Sequence, residues 1–311
     1  MQRLAWPPPI CRTSSTSSLR GWPGPLLEQN LAGLPSLSRP SRVHSSSDTK
    51  GPGSIFSHTA ADSSPRFFSH TRLPLEAGTS ILLSAEESRH ATRALRLGQD
   101  AWVEIFDGSG KLGQGRLEVG RRQTSVLLEG VRQEKWALPK WTLAVAMSDL
   151  SASRADWLVE KATELGAWSL LPFISQHTHK GGADRSTKKM DRWRSLSLAA
   201  CKQCRRLHGL SITDPVAFHS LLKELQVCQR EGGAALVALQ GGRPLQQVAA
   251  TLTSPAAAAS RSILVVGPEG DFTREEKEML LEIGSQAIGL GPLRLRVETA
   301  AISALANLML T

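Results

Sequence analysis

Two stretches near the C-terminus combine residue types that chemistry needs. The first, ILVVGPEGDFTREEKEML at 263–280, leads four apolar residues into Gly267, Pro268, Glu269, Gly270 and Asp271. Thr273 with Glu276 three residues on forms a capping box, and Glu275 adds a favourable charge, so a helix starts there. A buried strand, a tight loop and a helix follow one another. Gly267 and Gly270 lack side chains and are free to take positive φ, which suits the loop to close approach by a ligand. The nucleotide alternatives fail on residue type: a P-loop needs Gly-Lys-Ser/Thr and a dinucleotide fingerprint needs G-x-G-x-x-G. Glu269 and Asp271 would repel a pyrophosphate, so the implied ligand is neutral or cationic. An ordinary strand-to-helix turn is the alternative that the segment alone leaves open.

The second stretch, LGPLRLRVETAAISAL at 290–305, places Arg294, Arg296 and Glu298 between a strand and an apolar helix. Either Glu298 and Thr299 open the last helix beside a solvated Arg296, or Arg296 offers a planar fork of donors to a carbonyl or phosphate oxygen. Between His177 and His208 lies the densest basic run: Lys180, Arg185, Lys188, Lys189, Arg192, Arg194, Lys202, Arg205 and Arg206, against Asp184 and Asp191. A charge run is commonly a solvated helix face, but an excess of one sign this large matches a nucleic-acid surface. Cys201 and Cys204 are spaced as CxxC without a second ligand pair, and His177 and His179 stand at the wrong spacing for zinc, so no metal is expected. On a helix the two cysteines are one turn apart and serve as small packing residues. No G-x-S-x-G elbow or paired-carboxylate spacing supports a hydrolase.

Elements must position these residues. From Arg66 short strands prevail: 101–106, then Asp107 to Gly110 as a turn, then 112–119 and 124–128, with a short helix begun at Ser84. The expectation is a small β domain over 64–135 and a linker at 136–140. Beyond it strand and helix alternate: strands at 142–147, 168–174, 234–239, 262–266 and 286–290, helices at 155–165 and 298–310. Such alternation predicts a mostly parallel sheet covered on both faces, with ligands outside the carboxyl ends of its strands.

Length and composition agree. The 311 residues leave room for two domains, and a hydrophobic content of 41% is enough for real cores. A net charge of +9 favours polyanionic partners. Four cysteines (Cys11, Cys201, Cys204, Cys228) are not a secreted disulfide framework in a chain this long. No apolar run approaches the roughly 18 residues of a membrane span, so a soluble protein is expected. Residues 1–63 are rich in Ser and Pro, carry Arg3, Arg12, Arg20, Arg39 and Arg42, and hold no acidic residue before Glu28. That composition reads as an organellar transit peptide and spacer, for chloroplast or mitochondrion with the chloroplast favoured, or as a plain disordered tail.

LVVGPEGDFTREE and LGPLRLRVETAAISAL, preceded by WLVEKATELG and LAACKQC, resemble the signature segments of RsmE-type ribosomal RNA methyltransferases of the SPOUT superfamily, in the family's order. FFSHTRLPL and ATRALRLGQDAWVEIFDGSG are similar to the family's N-terminal PUA-like β-barrel. The resemblance runs from Arg66 to the C-terminus. It implies an α/β fold with a SPOUT-type, trefoil-knotted, mostly parallel sheet at 141–311, preceded by the PUA-like barrel. It also implies a homodimer that binds S-adenosyl-L-methionine and methylates N3 of one uridine in small-subunit rRNA. Carried onto this chain, the cofactor site would comprise Leu239, Gly267, Glu269, Gly270, Leu290, Gly291 and Leu295. Arg296 and Glu298 would be catalytic, with Arg296 stabilising charge on a uracil oxygen and Glu298 orienting it or accepting the N3 proton. Lys180, Lys188, Lys189, Arg192, Arg205 and Arg206 would hold RNA. Two positions depart from the family pattern. Asp271 stands where a second glycine is common, and Leu293 stands where an arginine is usual. They leave open a catalytically inactive RNA-binding assembly factor of the same fold.

Overall fold

The computed structural model describes residues 64–310 except 122, 148–149, 178–183 and 253–259, so the expected targeting segment lies outside the described residues. Five strands come first: β1 (Arg66–Phe68), β2 (Ser80–Leu82), β3 (Trp102–Phe106), β4 (Lys111–Val119) and β5 (Thr124–Gln133). Their order is β1-β3-β4-β5-β2, parallel only between β1 and β3. Within this ladder β1 and β2 are the outermost strands among the described residues. Side chains close what the ladder leaves apart: Phe67 of β1 and Ile81 of β2 share one core with Val103, Ile105, Leu117 and Val126. Between β2 and β3 stands α1 (Ala85–Arg89), capped by Ser84, whose hydroxyl accepts from the Glu87 amide at 3.1 Å.

The second sheet is built from β6 (Lys140–Val145), β7 (Ser169–Ile174), β8 (Ser211–Ile212), β9 (Val216–Ala217), β10 (Ala235–Pro244), β11 (Arg261–Val266) and β12 (Gln286–Gly289). It runs β12-β10-β11-β6-β7-β8, with β9 also beside β7, and every pair is parallel. The helices are α2 (Ala152–Glu164), α3 (Asp184–Cys204), α4 (Phe218–Arg230), α5 (Leu245–Ala249), α6 (Arg274–Glu282) and α7 (Val297–Met309). Successive strand residues point to opposite faces, and here both faces are dry. Leu143, Val145, Leu264 and Val266 pack with α2 and α7, whereas Ala144, Ile263 and Val265 pack with α4 and α6. Each fully buried Leu, Val or Ile stabilises the sheet by about 1.5–3 kcal/mol, which is why these strands read as continuous apolar runs. The expected α/β class with a mostly parallel sheet, preceded by a β domain, is what the molecule has.

Two irregularities matter. β10 pairs with Ile288 twice, through Ala238 and again through Arg243, so residues 239–242 loop out of the ladder between the two registers. The return is close: a Cβ on Gly242 would lie 2.5 Å from the Ile288 carbonyl carbon, and one on Gly289 2.6 Å from the Gly242 oxygen. Only glycine fits on both sides. The second irregularity is the junction of the two sheets at the end of α3. There Cys201 and Leu207 pack against Phe106 and Leu112. Beside them the buried Glu104 carboxylate accepts from Arg66 at 2.7 Å, Arg205 at 2.9 Å and Gln114 at 3.1 Å. Lys202 bonds Glu87 at 2.8 Å nearby. Among the described residues no helix is long and apolar enough to cross a membrane.

Candidate active site

The carboxyl ends of the adjacent strands β12, β10 and β11 frame a cavity of about 450 Å³. Its walls come from Ala238–Gln240 where β10 leaves its ladder, from Val266–Glu269 and Asp271 at the end of β11, and from Leu290, Gly291 and Leu293–Val297 between β12 and the start of α7. Of the expected cofactor residues, Leu239, Gly267, Glu269, Leu290, Gly291 and Leu295 line it, while Gly270 does not. A Cβ on Gly270 would face His177 instead, 3.3 Å from its Cβ and 3.6 Å from the ring.

The glycines are needed for a different reason from the one expected. Neither Gly267 nor Gly270 has positive φ; the left-handed residue of this loop is Asp271, at φ 64°. At Gly267 a Cβ would stand 2.7 Å from Phe272, whose ring stacks on Phe173 at 6.1 Å and is buried. The space that Gly267 leaves is therefore filled from the core, not from the cavity. Asp271 is held by its own bonds. Its Oδ1 accepts from the Phe272 amide and its Oδ2 from Lys277 Nζ, each at 2.7 Å, and its carbonyl oxygen lies 2.9 Å from His177 Nδ1. The capping box is present: Thr273 Oγ1 accepts from the Glu276 amide at 3.2 Å and Glu276 Oε2 from the Thr273 amide at 3.0 Å.

Arg296 is the N-cap residue of α7, exposed at the cavity mouth, and its guanidinium makes no hydrogen bond or ion pair with the described residues. Arg294 beside it donates to the Glu269 carbonyl at 2.8 Å. Glu298 does not meet Arg296. It lies in the first turn of α7, buried and outside the cavity lining, and its Oε2 has no hydrogen bond within 3.5 Å among the described residues. The nearest cation is Arg154 Nη1 at 3.6 Å, which also donates to Glu269 Oε1. Hydrogen bonding to Glu269 first, and the charges of Glu269 and Glu298 after it, hold the Arg154 guanidinium above its ordinary pKa. Sequence reasoning missed Arg154. Its one local signal is a cation in the first turn of α2, where the helix dipole disfavours positive charge.

The expected basic surface divides. Lys188 is exposed and makes no ion pair with the described residues, whereas Lys189 lies 4.8 Å above the Trp193 ring and Arg192 bonds Asp156 at 2.9 Å. Lys180 lies outside the described residues. Arg205 and Arg206, expected to face RNA, are turned inward. Arg205 serves the Glu104 cluster, and Arg206 donates to the carbonyls of Thr163 at 2.9 Å, Ala167 at 2.6 Å and His208, under the Trp136 ring. Their donors satisfy the domain junction, which leaves little for a phosphate. Cys201 is a packing residue of that junction, and burial pushes its thiol up to about 11.

Residues 136–309 match the family model described as an RNA methyltransferase domain, and residues 83–128 the one described as an RNA methyltransferase PUA domain. The chain belongs to the RNA methyltransferase family. Among curated relatives, the ribosomal RNA small subunit methyltransferase E of Bacillus subtilis (strain 168) is 26% identical over 243 residues, 77% of this chain and 93% of the relative. The protein of that name from Mycobacterium bovis is 28% identical over 237 residues, 74% and 86% of the two chains. Among solved structures, ribosomal RNA small subunit methyltransferase E from Neisseria gonorrhoeae, bound to S-adenosyl methionine, superposes with a TM-score of 0.67. It is 26% identical and covers 78% of this chain and 95% of its own. A methyltransferase from Legionella pneumophila in complex with SAM gives 0.66 at 28% identity, covering 79% and 96%. The site of this RNA methyltransferase therefore lies in the part of the chain that the methyltransferase model spans.

Proposed function

We propose that this RNA methyltransferase uses S-adenosyl-L-methionine to methylate N3 of a uridine in small-subunit rRNA, in an organelle reached through residues 1–63. The observation that carries the reading is the cavity at the ends of β10, β11 and β12, which joins the Glu269 side chain to the Arg296 guanidinium at its mouth, a group with no ion pair among the described residues. The fit to the cofactor is chemical: the Glu269 carboxylate suits a ligand that carries a sulfonium and an ammonium, and the apolar Leu239, Leu290 and Leu295 suit its adenosine. Two solved relatives carry SAM. The looped-out residues 239–242 and their close return past Gly289 are consistent with the knotted topology implied by the resemblance. In this reading residues 64–135 help hold RNA, 141–311 carry the chemistry, and two copies act together.

Bound there, S-adenosylmethionine supplies an electrophilic methyl group. The chain's residues must then place N3 in line with it and favour loss of the N3 proton, and alignment is the larger effect. Fixed geometry is worth about 7–11 kcal/mol, against a general-base factor of about 10² to 10⁴. Arg296 is free to bond a uracil carbonyl as negative charge grows on it. Lys188 and Arg192 on α3 attract the backbone. The base must leave its pairing to expose N3, so an extruded or already open nucleotide is the substrate form. Calorimetric titration with S-adenosylmethionine, followed by mass mapping of N3-methyluridine in small-subunit rRNA from cells lacking the protein, tests the reading. Micromolar binding and loss of one mark are expected. Binding without loss of any mark would favour the assembly factor, and no binding would remove the cofactor assignment.

A further inference from the structure

Arg154 makes contacts that the proposed reaction has not yet used. It reaches from the first turn of α2 between two carboxylates of different standing. Glu269 lines the cavity and its side chain is 46% exposed, whereas Glu298 lies behind the wall at 10% exposure. Both depend on the same nitrogen, Nη1, which bonds Glu269 and stands 3.6 Å from Glu298 Oε2. Arg154 Nε turns the other way, 3.4 Å from Ser151 Oγ. Among the described residues the buried Glu298 Oε2 is thus left without a hydrogen bond, a costly condition that closer approach of Arg154 would relieve.

We propose that Arg154 is a positioning residue shared between the cavity and α7: a cationic group held by Glu269 competes for that carboxylate and drives the guanidinium onto Glu298. The step moves no covalent bond and exchanges one ion pair for another. Glu298 is two residues from Arg296, the N-cap of α7, so a completed Arg154–Glu298 pair fixes the turn that carries the guanidinium at the mouth. Occupancy of the cavity is thereby transmitted to the group that meets the base. Linkage requires the reverse as well, since anything that makes Glu298 a poorer alternative must weaken the cavity's hold on its cation. The inference rests on the reading of the cavity as the S-adenosylmethionine site.

The test is a double-mutant cycle on the full chain, with S-adenosylmethionine affinity measured by calorimetry and methyl transfer measured in single turnover at saturating cofactor. Glu298→Gln leaves Arg154 no second place, so it should weaken cofactor binding although it does not line the cavity. Arg154→Gln removes the competitor for Glu269, so affinity should hold or rise while the transfer rate falls. In that background Glu298→Gln should have no further effect on affinity. A non-additivity of about 2- to 100-fold is the range that interacting residues give. Arg154→Lys, which keeps the charge, should restore part of the rate and carries the test where Arg154→Gln fails to fold by thermal denaturation. A purely structural Arg154 would instead weaken binding on its own, and Glu298→Gln would weaken it equally in both backgrounds; either result overturns the proposal. A wild-type chain that binds no S-adenosylmethionine would overturn the cavity reading itself, an outcome separate from these.

Discussion

Replacing Asp271 by glycine should be nearly neutral, and replacing it by alanine should not. At φ 64° a side chain costs about 1–2 kcal/mol for most residues and less for Asp, whose short polar group bonds locally. Both substitutions lose the Oδ1 bond to the Phe272 amide, worth about 1 kcal/mol net, and the half-exposed Lys277 pair, worth at most about 1 kcal/mol. Glycine recovers the backbone strain, offset in part by about 0.4–1 kcal/mol of extra freedom in the unfolded chain. Alanine recovers nothing and adds strain that Asp avoids. The expected losses are about 1 kcal/mol or less for Asp271→Gly and about 2 kcal/mol for Asp271→Ala. Urea denaturation at constant m measures both, and calorimetry would show cofactor affinity kept in the glycine variant because the His177 contact uses the backbone. Equal stability of the two variants would refute the claim that this position is chosen by φ.

Gly267→Ala should lose about 1–3 kcal/mol by forcing Phe272 off Phe173, seen as a lower urea midpoint; an unchanged midpoint would show that the ring yields freely. Arg206→Ala should cost about 3 kcal/mol, since carbonyls of Thr163 and Ala167 lose their donor, while the salt dependence of RNA binding stays as in the wild type. Arg296→Lys should slow single-turnover methylation by about 10² to 10³ with the melting temperature unchanged, because the planar fork is lost from a side chain that bonds none of the described residues. His208 is held below its ordinary pKa by burial first and by Arg206 second, so the unfolded chain binds its proton more readily. Its contribution is complete above the unfolded value of about 6.5 and is lost as pH falls below it. His208→Gln should flatten stability against pH between about 5 and 7, as read by chemical denaturation.

What the sequence reveals depends on whether cause and effect are local. The buried strands β6, β10 and β11 are legible because both faces are dry, so apolar residues run unbroken between turn signals. The capping box at Thr273 is legible because its partners lie three residues apart. β1 and β2, each three residues long, hold no period to read and exist because β3 and β5 lie beside them. The second half of β10, past its loop, depends on a close passage over Gly289 that no strand pattern encodes. The site divides in the same way. Glu269 and Arg296 stand in loops whose composition draws attention, but Arg154 matters through a carboxylate 115 residues away. Arg205 and Arg206 read as part of a basic face because composition counts charge without showing where it points, and their partners are 101 and 43 residues distant.

The junction around Glu104 also has a history in time. The first sheet leaves the ribosome with Glu104, Arg66 and Gln114 in place, but Arg205 follows only 101 residues later. At a synthesis rate of about 5–20 residues per second the wait is on the order of 5–20 s. Throughout it Phe106 and Leu112 lack Cys201 and Leu207, which cover them in the finished molecule. The strands of residues 64–135 are thus born with an unfinished seam, whose apolar side chains stay uncovered until the tail of α3 arrives. For the same reason a graft of residues 64–135 onto another enzyme would arrive without its lining, and a transplant that also carries the tail of α3 would bring the seam with it.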